Sequence, residues 1–269
     1  MNPEPGTRNP EPRPFALITG ASGGIGEDLA RLVAAGGADV VLVARSAERL
    51  LALGAELEAQ YRIKATIVIQ DLAAPDATER VMDAVGRQRP AIDILINNAG
   101  FGLLGPFAEM PTTDVQQMLQ LNIVTLALLT RAVLPGMLQR KRGRILNIAS
   151  TAAFQSGPFM AAYYASKAFV LSLSEALSNE VAGTGVTVTC LCPGPTRTGF
   201  QDRARVGESR LMQLGLMDSG AVAREGYDAM MAGRSLVIPG LTNKIGVQAL
   251  RLTPRRLVTT VIRALHRDR

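Results

Sequence analysis

The stretch Phe15-Ala-Leu-Ile-Thr19-Gly20-Ala-Ser-Gly-Gly-Ile-Gly26 decides the fold of this chain. Its first five residues are apolar enough for a short buried strand, and a helical pattern follows from Glu27 to Ala35. A glycine-rich turn between a strand and a helix lets backbone N–H groups approach a pyrophosphate at the positive end of the helix. The stretch therefore predicts a dinucleotide-binding turn, although a tight strand-to-helix connection without a ligand would have the same pattern.

Six further β-like runs alternate with helical patterns along the chain. The runs are Asp39–Ala44, Ala65–Gln70, Ile92–Asn97, Arg144–Ala149, Val186–Leu191 and Ser235–Ile238. Helical patterns lie near Ala47–Tyr61, Asp76–Gln88, Thr113–Gln139, Gly157–Val181 and Gly220–Met231. This alternation predicts an α/β fold with one Rossmann-type, doubly wound parallel sheet of about seven strands, covered by helices on both faces. Ligands are expected at the carboxyl ends of its strands.

Tyr163 and Lys167 are four residues apart, and Tyr163 follows Ser150 by thirteen residues. Positions i and i+4 share one helix face, so the phenol and the ammonium would project side by side. The cation is expected to stabilise the phenolate and to lower the pKa of Tyr163 from about 10 by as much as about 3. Such a tyrosine could donate and accept protons near neutral pH, although the same pair also fits an exposed helix face.

Taken together, these residues resemble the short-chain dehydrogenase/reductase family from about Phe15 to Gly240. Thr19, Gly20, Gly24 and Gly26 match the family's Thr-Gly-x-x-x-Gly-x-Gly signature, and the Asn-Asn-Ala-Gly signature is Asn97 to Gly100. The resemblance implies an oxidoreductase with a bound nicotinamide dinucleotide. The residues implied to bind it are Gly20, Ser22, Gly24, Ile25, Gly26, Arg45, Asp71, Leu72, Asn98, Ala99, Gly100, Tyr163, Lys167, Pro193, Gly194, Thr196 and Thr198.

The resemblance also implies four catalytic residues: Asn122, Ser150, Tyr163 and Lys167. Lys167 would hold the nicotinamide ribose and bias Tyr163, which would protonate the carbonyl oxygen as hydride arrives. Ser150 would donate a hydrogen bond to that oxygen, and Asn122 would hold a water that links Lys167 to solvent. Asn122 equally suits a structural hydrogen bond. Tyr164 is three residues from Lys167, whereas the family spacing is four, so the tyrosine role is assigned to Tyr163.

The end of the second strand favours NADP(H) over NAD(H). A carboxylate there would accept hydrogen bonds from the ribose 2′-hydroxyl and repel a 2′-phosphate. This chain has Arg45 instead, whose planar guanidinium suits a phosphate, although it also fits an ordinary exposed arginine at a helix start. Gly23 occupies the loop position where NADP-dependent members often carry a basic residue. Asp71 matches the family's adenine contact and equally suits a cap for the following helix.

Several function classes are excluded by what the sequence lacks. Its only histidine, His266, lies in the basic tail, which removes Ser-His-Asp catalysis and histidine metal sites from the body, and no metal is expected. No nucleophile elbow or Walker loop is present. Cys190 and Cys192 alternate along one apolar run, which predicts two buried thiols in a reducing cytoplasm. A cytoplasmic protein is expected, since no signal-peptide pattern or apolar run of about 18 residues occurs.

The net charge of +6 is confined to the C-terminal segment. Residues 241–269 contain seven Lys/Arg and one acid, whereas residues 1–240 contain 22 basic and 22 acidic residues, so no nucleic-acid binding is expected from the body. We therefore divide the chain into a disordered Pro-rich leader (1–14), a single catalytic domain (15–240) with a substrate lid around 200–219, and a basic amphipathic extension (241–269). The extension could dock on a partner subunit, lie on an anionic membrane, cover the lid or form a solvated helix.

Apolar residues near the motif loops predict a pocket for a medium or bulky ketone or aldehyde; core or subunit-interface packing would explain them equally well. They are Phe101, Leu103, Leu104, Phe107, Phe154, Phe159, Phe200, Leu211, Met212, Leu214, Leu216 and Met217. The expected function is an NADP(H)-dependent carbonyl reductase or alcohol dehydrogenase, as a homodimer or homotetramer. The alternatives are an NADP(H)-binding regulator with little turnover and a membrane-peripheral protein.

Overall fold

A computed structural model of the protein describes residues 13–86, 91–200 and 215–266. The predicted Pro-rich leader lies outside these ranges except for its last two residues. Most of the predicted lid (201–214) and the end of the tail (267–269) also lie outside them.

Seven parallel strands form one sheet in the order β3-β2-β1-β4-β5-β6-β7. They are β1 Phe15–Thr19, β2 Asp39–Ala44, β3 Ala65–Ile69, β4 Ile94–Asn97, β5 Gly143–Ile148, β6 Val186–Leu191 and β7 Leu236–Val237. The order reverses direction between β1 and β4, which opens a crevice at the carboxyl ends of these two strands. The predicted doubly wound parallel sheet is confirmed.

Helices follow the strands as the alternating pattern predicted. They are α1 Gly24–Ala35, α2 Ala47–Tyr61, α3 Ala77–Gly86, α4 Thr112–Leu119, α5 Leu126–Arg140, α6 Ala161–Glu180, α7 Ser219–Met231, α8 Leu241–Leu252 and α9 Arg255–His266. A π-helical turn, Gln120–Thr125, joins α4 to α5, and a short 3-10 turn, Thr151–Phe154, follows β5. Helix α6 begins at Ala161, four residues later than the predicted start at Gly157.

The two faces of the sheet bury alternate residues of each strand. In β1, Ala16 and Ile18 belong to the apolar core beneath α1 and α7, while Phe15 and Leu17 belong to the core that includes α3 and α5 residues. This period of two is what a strand buried on both faces requires. The strand ends are thereby held in fixed register beside the crevice.

The helical stretch Thr112–Arg140, which includes the π turn, is long and apolar enough to cross a membrane by length and composition alone. Its Met118, Leu129, Val133 and Met137 are nevertheless buried in the core below the sheet. This packing is that of a core helix.

The C-terminal extension folds back onto the rest of the chain. On α8, Asn243 packs against Gly194 and Val247 is buried beside β6 residues. On α9, Ile262 packs with Ala152, Met160 and Tyr164, close to the crevice. The segment therefore contacts its own catalytic region, whereas docking on a partner subunit, on a membrane or over the lid stays a prediction.

Candidate active site

A cavity of about 510 Å³ lies at the carboxyl ends of the strands. Among its lining residues are all of the predicted site residues except Gly24, Gly26 and Asn122, which lie directly behind the wall. The predicted residues on the wall are Gly20, Ser22, Ile25, Arg45, Asp71, Leu72, Asn98, Ala99, Gly100, Ser150, Tyr163, Lys167, Pro193, Gly194, Thr196 and Thr198. Residues from seven separate segments of sequence therefore converge on one crevice.

The glycine-rich turn forms a cradle that leaves no space for a side chain at Gly20, Gly24 or Gly26. Gly24 has φ +57°, a left-handed conformation that glycine adopts readily. A Cβ on Gly26 would lie 2.3 Å from both the Asn98 side-chain nitrogen and the Gly20 carbonyl oxygen. Helix α1 begins here, and its N-cap residue, Gly23, brings no side chain to satisfy the first N–H groups. These groups and the open cradle fit the pyrophosphate of a dinucleotide.

Asn98 and Thr19 hold this cradle against β4. The Asn98 amide Nδ2 donates to the carbonyl oxygens of Thr19 (3.1 Å) and Gly20 (3.0 Å). The Thr19 hydroxyl oxygen accepts from the backbone N–H groups of Asn98 (3.0 Å) and Ala99 (3.1 Å). The Asn-Asn-Ala-Gly segment thus shapes the cofactor turn as well as lining the cavity.

Two arginines border the far end of the cavity, where the adenosine end of a dinucleotide would lie. Arg45 lines the wall as predicted, and Arg49, four residues later on α2, joins it. Arg49 was not predicted: Arg45 precedes α2 and Arg49 lies in its first turn, and only the folded chain brings both to the same wall. Asp71 also lines the wall, and its carboxylate accepts from the Ala73 N–H at 3.0 Å. It therefore caps the turn after β3, well before α3 begins at Ala77.

Ser150 is placed by the end of β5. Its hydroxyl oxygen accepts from the Ala152 N–H (3.1 Å) and its O–H lies 3.4 Å from the Pro193 carbonyl oxygen. The Ser150 hydroxyl also acts on the Tyr163 phenol, where it opposes the raising of the Tyr163 pKa by burial. A hydroxyl with these neighbours can point a donor into the cavity.

Tyr163 and Lys167 share one face of α6, as predicted, and Lys167 Nζ lies 5.9 Å from the centre of the Tyr163 ring. Tyr163 keeps partial exposure toward the cavity, yet burial in the surrounding protein raises its pKa to about 12, against an opposing effect of Ser150. Burial also lowers the pKa of Lys167 to about 8. The expected lowering of the Tyr163 pKa by Lys167 is therefore wrong, because burial has the larger effect.

Asn122 lies in the π turn and is almost completely buried. Its amide donates to the Phe101 carbonyl oxygen (2.9 Å) and the Ser166 hydroxyl (3.1 Å), and its carbonyl accepts from the Phe101 N–H (3.2 Å). Asn122 thus makes the structural hydrogen bonds that the sequence allowed as an alternative. A Cβ atom added to Gly100 would lie 3.1 Å from Asn122 Oδ1 and 3.5 Å from Lys167 Nζ. The two groups therefore face the same small space, and the water link from Lys167 to solvent stays a prediction.

The substrate side of the cavity is largely apolar. Met160, Tyr164 and Phe200 line it beside Tyr163, and the Tyr163 and Phe200 ring centres are 5.4 Å apart. Of the apolar residues predicted to form a pocket, Phe101 and Phe154 pack into the core, and Phe107 is exposed. Leu211, Met212 and Leu214 lie outside the described residues. Met160 and Tyr164 were not predicted, because only the fold brings them to the wall.

The two thiols are buried and free, as expected. The Cys190 and Cys192 sulfurs lie 3.7 Å apart on the same side of β6. The hydrogen bond from Cys190 and burial raise the pKa of Cys192 well above its usual value. The Cys192 thiol therefore remains protonated at neutral pH.

Comparisons with known proteins agree with this geometry. The short chain dehydrogenase family model matches residues 14–209. The ketoacyl reductase HetN of a Nostoc species is 35% identical over 204 residues, which cover 72% of this chain and 68% of that protein. A short-chain dehydrogenase from Sphingobium yanoikuyae, solved with NADPH, is 33% identical with a TM-score of 0.81 over 93% of this chain and 96% of that one.

A third comparison concerns a ketone-specific enzyme. The bulky-bulky ketone specific alcohol dehydrogenase from Comamonas testosteroni is 29% identical with a TM-score of 0.76, over 95% of this chain and 97% of that one. Fold, site and sequence together define an oxidoreductase. The chain belongs to the short-chain dehydrogenase/reductase family.

Proposed function

We propose that the protein is an NADP(H)-dependent oxidoreductase that interconverts a medium or bulky apolar ketone or aldehyde with its alcohol. The observation that carries this proposal is the convergence of Ser150, Tyr163 and Lys167 on one cavity that also contains the glycine cradle. A protein that only sensed a dinucleotide would need the cradle but no proton donor.

The catalytic side chains divide the work by position. Tyr163 gives its phenolic proton to the carbonyl oxygen, and Ser150 donates a hydrogen bond as negative charge develops on that oxygen. Lys167 is held by a hydrogen bond from its Nζ to the Ile148 carbonyl oxygen (2.8 Å), at the position from which it would bind the nicotinamide ribose. When bound, the nicotinamide supplies or accepts the hydride.

The preference for NADP(H) is supported by charge at the adenosine end of the cavity. Arg45 and Arg49 both line it, and β2 ends without the carboxylate that would repel a 2′-phosphate. Hydrogen bonds between an arginine and a phosphate are charge-assisted and contribute roughly 1.5–3 kcal/mol each. A relative that is 33% identical was solved with NADPH.

The substrate class is supported by the apolar wall beside Tyr163. Met160, Tyr164 and Phe200 present aliphatic and aromatic surface, which favours a substrate with a medium or bulky apolar group beside its carbonyl. The names of two relatives, a ketoacyl reductase and a bulky-bulky ketone specific alcohol dehydrogenase, agree with a ketone substrate.

A panel of ketones and aldehydes tests the proposal. Each compound is mixed with the full-length protein and NADPH, with NADH in parallel, and the decay of cofactor absorbance is followed. The panel should contain matched pairs, such as a methyl ketone and an aryl ketone of the same carbonyl reactivity. We expect faster NADPH oxidation with the bulkier apolar partner of each pair. No carbonyl-dependent oxidation of either cofactor would contradict the assignment.

We also propose that the enzyme is a homodimer or homotetramer. Exposed apolar side chains on the π turn, α5 and α6, namely Val124, Leu128 and Phe169, support this. Light scattering coupled to size-exclusion chromatography should give a mass of two or four chains, and a monomer at micromolar concentration would contradict the proposal.

A further inference from the structure

His266, the only histidine of the chain, is buried against the catalytic region although it is the last residue of α9, within the arginine-rich tail. Its Nδ1 lies 2.8 Å from the Pro158 carbonyl oxygen, and its Nε2 lies 3.1 Å from the Tyr164 hydroxyl. The His266 and Tyr164 rings meet edge to face with their centres 5.5 Å apart. The end of α9 is thus attached to two points next to the catalytic tyrosine.

These contacts fix the direction of both hydrogen bonds. The Pro158 carbonyl oxygen can only accept, so Nδ1 of His266 must carry the hydrogen. In a neutral imidazole Nε2 is then an acceptor, and the Tyr164 hydroxyl must donate to it. Burial lowers the pKa of His266, which favours this neutral form. The Tyr164 proton is consequently directed at His266.

The same helix touches the loop that shapes the substrate side. This loop, Gly157–Met160, contains Phe159 in a left-handed conformation with φ +67°, and the Arg263 guanidinium lies 5.8 Å from the centre of the Phe159 ring. A Cβ on Gly157 would lie 2.3 Å from the Tyr164 ring, so loop and ring are in close contact. Tyr164 in turn lies edge to face with Tyr163, with ring centres 6.1 Å apart.

We propose that His266 is a positioning residue, which holds Tyr164 and the Gly157–Met160 loop in the arrangement that forms the substrate wall beside Tyr163. This inference rests on the proposed reductase activity. The residue lies beyond the matched family segment, which ends at residue 209. If α9 only covered apolar surface, Ile262 and its apolar neighbours would be sufficient. A buried imidazole that hydrogen-bonds through both ring nitrogens would not be needed.

The test combines His266→Leu, Tyr164→Phe and the double variant, assayed with NADPH and a bulky ketone. We expect each single variant to raise KM for the ketone at least fivefold, with KM for NADPH unchanged and kcat altered less than twofold. The double variant should be no worse than either single one, because both remove the same contact. His266→Gln, which can still accept from Tyr164, should recover part of the loss, and Thr260→Ala on the exposed side of α9 is the matched control.

An unchanged ketone KM in an active His266→Leu enzyme, or single effects that multiply in the double variant, would overturn the inference. A wild-type protein inert toward all ketones would instead contradict the proposed function. The imidazole itself gives a second readout that needs no activity. Because the chain has one histidine, ¹⁵N NMR should show one ring with Nδ1 protonated and Nε2 bare, and the opposite tautomer would contradict the contact.

A separate observation concerns the outward side of α8 and α9. Large apolar side chains are exposed there at helical spacing, which places those of each helix in one stripe. They are Leu241 (71% exposed), Ile245 (61%) and Leu252 (91%) on α8, and Leu257 (56%) and Val261 (50%) on α9. The inward sides of these helices are already packed by Val247 and Ile262.

Positive charge accompanies these stripes. Lys244, Arg251, Arg255, Arg256 and Arg263 are all exposed, and the sequence from 241 to 266 contains no acidic residue. A second copy of the same surface would bring like charges together. An anionic lipid surface would complement the charge and also take up the apolar side chains, and stable attachment generally needs both contributions.

We infer that the outward face of α8 and α9 docks on an anionic membrane surface. The full chain is floated with vesicles of phosphatidylcholine, with and without phosphatidylserine, at low and high salt. We expect flotation only with phosphatidylserine, weaker at high salt, and at least a tenfold loss in Leu252→Glu and in Arg255→Glu/Arg256→Glu. Leu51→Glu, which changes a leucine 58% exposed on α2, should float as the parent does.

Three outcomes would overturn this second inference. The first is that the parent protein does not float with vesicles at low salt. The second is that Leu252→Glu floats as well as the parent. The third is that the parent does not bind vesicles but forms a dimer that Leu252→Glu disrupts. The last result would identify a second copy as the occupant of the surface.

Discussion

At the scale of single residues, two features of Tyr163 bear on its pKa in opposite directions: its spacing to Lys167, which predicts a lowered pKa, and its burial, which raises it. The four-residue spacing to Lys167 correctly predicted that both side chains reach one site. It could not predict that burial would raise the pKa of Tyr163 to about 12 and lower that of Lys167 to about 8. Burial depends on residues from distant segments, such as Cys190 and Phe200, which the sequence of α6 does not contain. The buried Lys167 ammonium therefore destabilises the fold at neutral pH, whereas Tyr163 stays neutral there and adds no such cost.

Lys167→Met should reveal this destabilisation. Burial lowers the pKa of Lys167 from 10.5 to about 8 in the folded protein. The cost of the buried ammonium to the free energy of folding is therefore fully present below about pH 8 and absent above about pH 10.5. At 1.36 kcal/mol per pKa unit the penalty is about 3 kcal/mol at most. We expect Lys167→Met to be inactive. Without cofactor, its free energy of unfolding should exceed that of the parent at pH 6.5, by a margin that is smaller at pH 9.5. Urea unfolding at both pH values measures this, and an advantage that grows with pH would contradict it.

Arg45→Asp should change the choice of cofactor. The carboxylate would repel a 2′-phosphate and accept from a 2′-hydroxyl, so we expect kcat/KM to fall at least tenfold for NADPH and to rise for NADH. Arg224→Asp, which changes an exposed arginine on α7 outside the cavity wall, is the charge-matched control. If the NADPH/NADH ratio is the same in both variants, Arg45 does not contact the phosphate.

At the scale of elements, the start of α1 depends on the absence of side chains. The strand, the turn and the helix were each predictable from local pattern, because glycine spacing and apolar periodicity are local signals. The π turn was not. Asn122 bonds to the backbone of Phe101, twenty-one residues away, so a pattern that read as one helix from Thr113 to Gln139 contains an extra residue in one turn.

Gly26→Ala should disable the cofactor turn. The added Cβ would meet Asn98 and the Gly20 carbonyl at 2.3 Å, so the cradle must shift or open. We expect dinucleotide binding, measured by fluorescence titration, to weaken at least a hundredfold, and the melting temperature to fall. Gly86→Ala is the matched control, since a Cβ there meets nothing within 4 Å on α3 and alanine favours a helix. Normal binding by Gly26→Ala would contradict the role of the cradle.

At the scale of the whole molecule, the order of strands brings the separate signals together. Alternation of apolar runs and helical patterns was enough to predict the parallel sheet, and parallel strands place their carboxyl ends at one edge. The position of the C-terminal helices was not predictable. His266 meets Tyr164 across 102 residues, and amphipathic periodicity alone does not state which surface a helix will cover.

The central claim is that Tyr163 delivers a proton beside a bound dinucleotide, and Tyr163→Phe tests it most directly. The variant keeps the ring and removes only the hydroxyl, so NADPH should bind with an affinity close to that of the parent. Steady-state reduction of the best ketone should fall by about 100-fold or more, the range that general acid catalysis supplies. Residual activity within about tenfold of the parent, in a variant that still binds NADPH, would contradict the account.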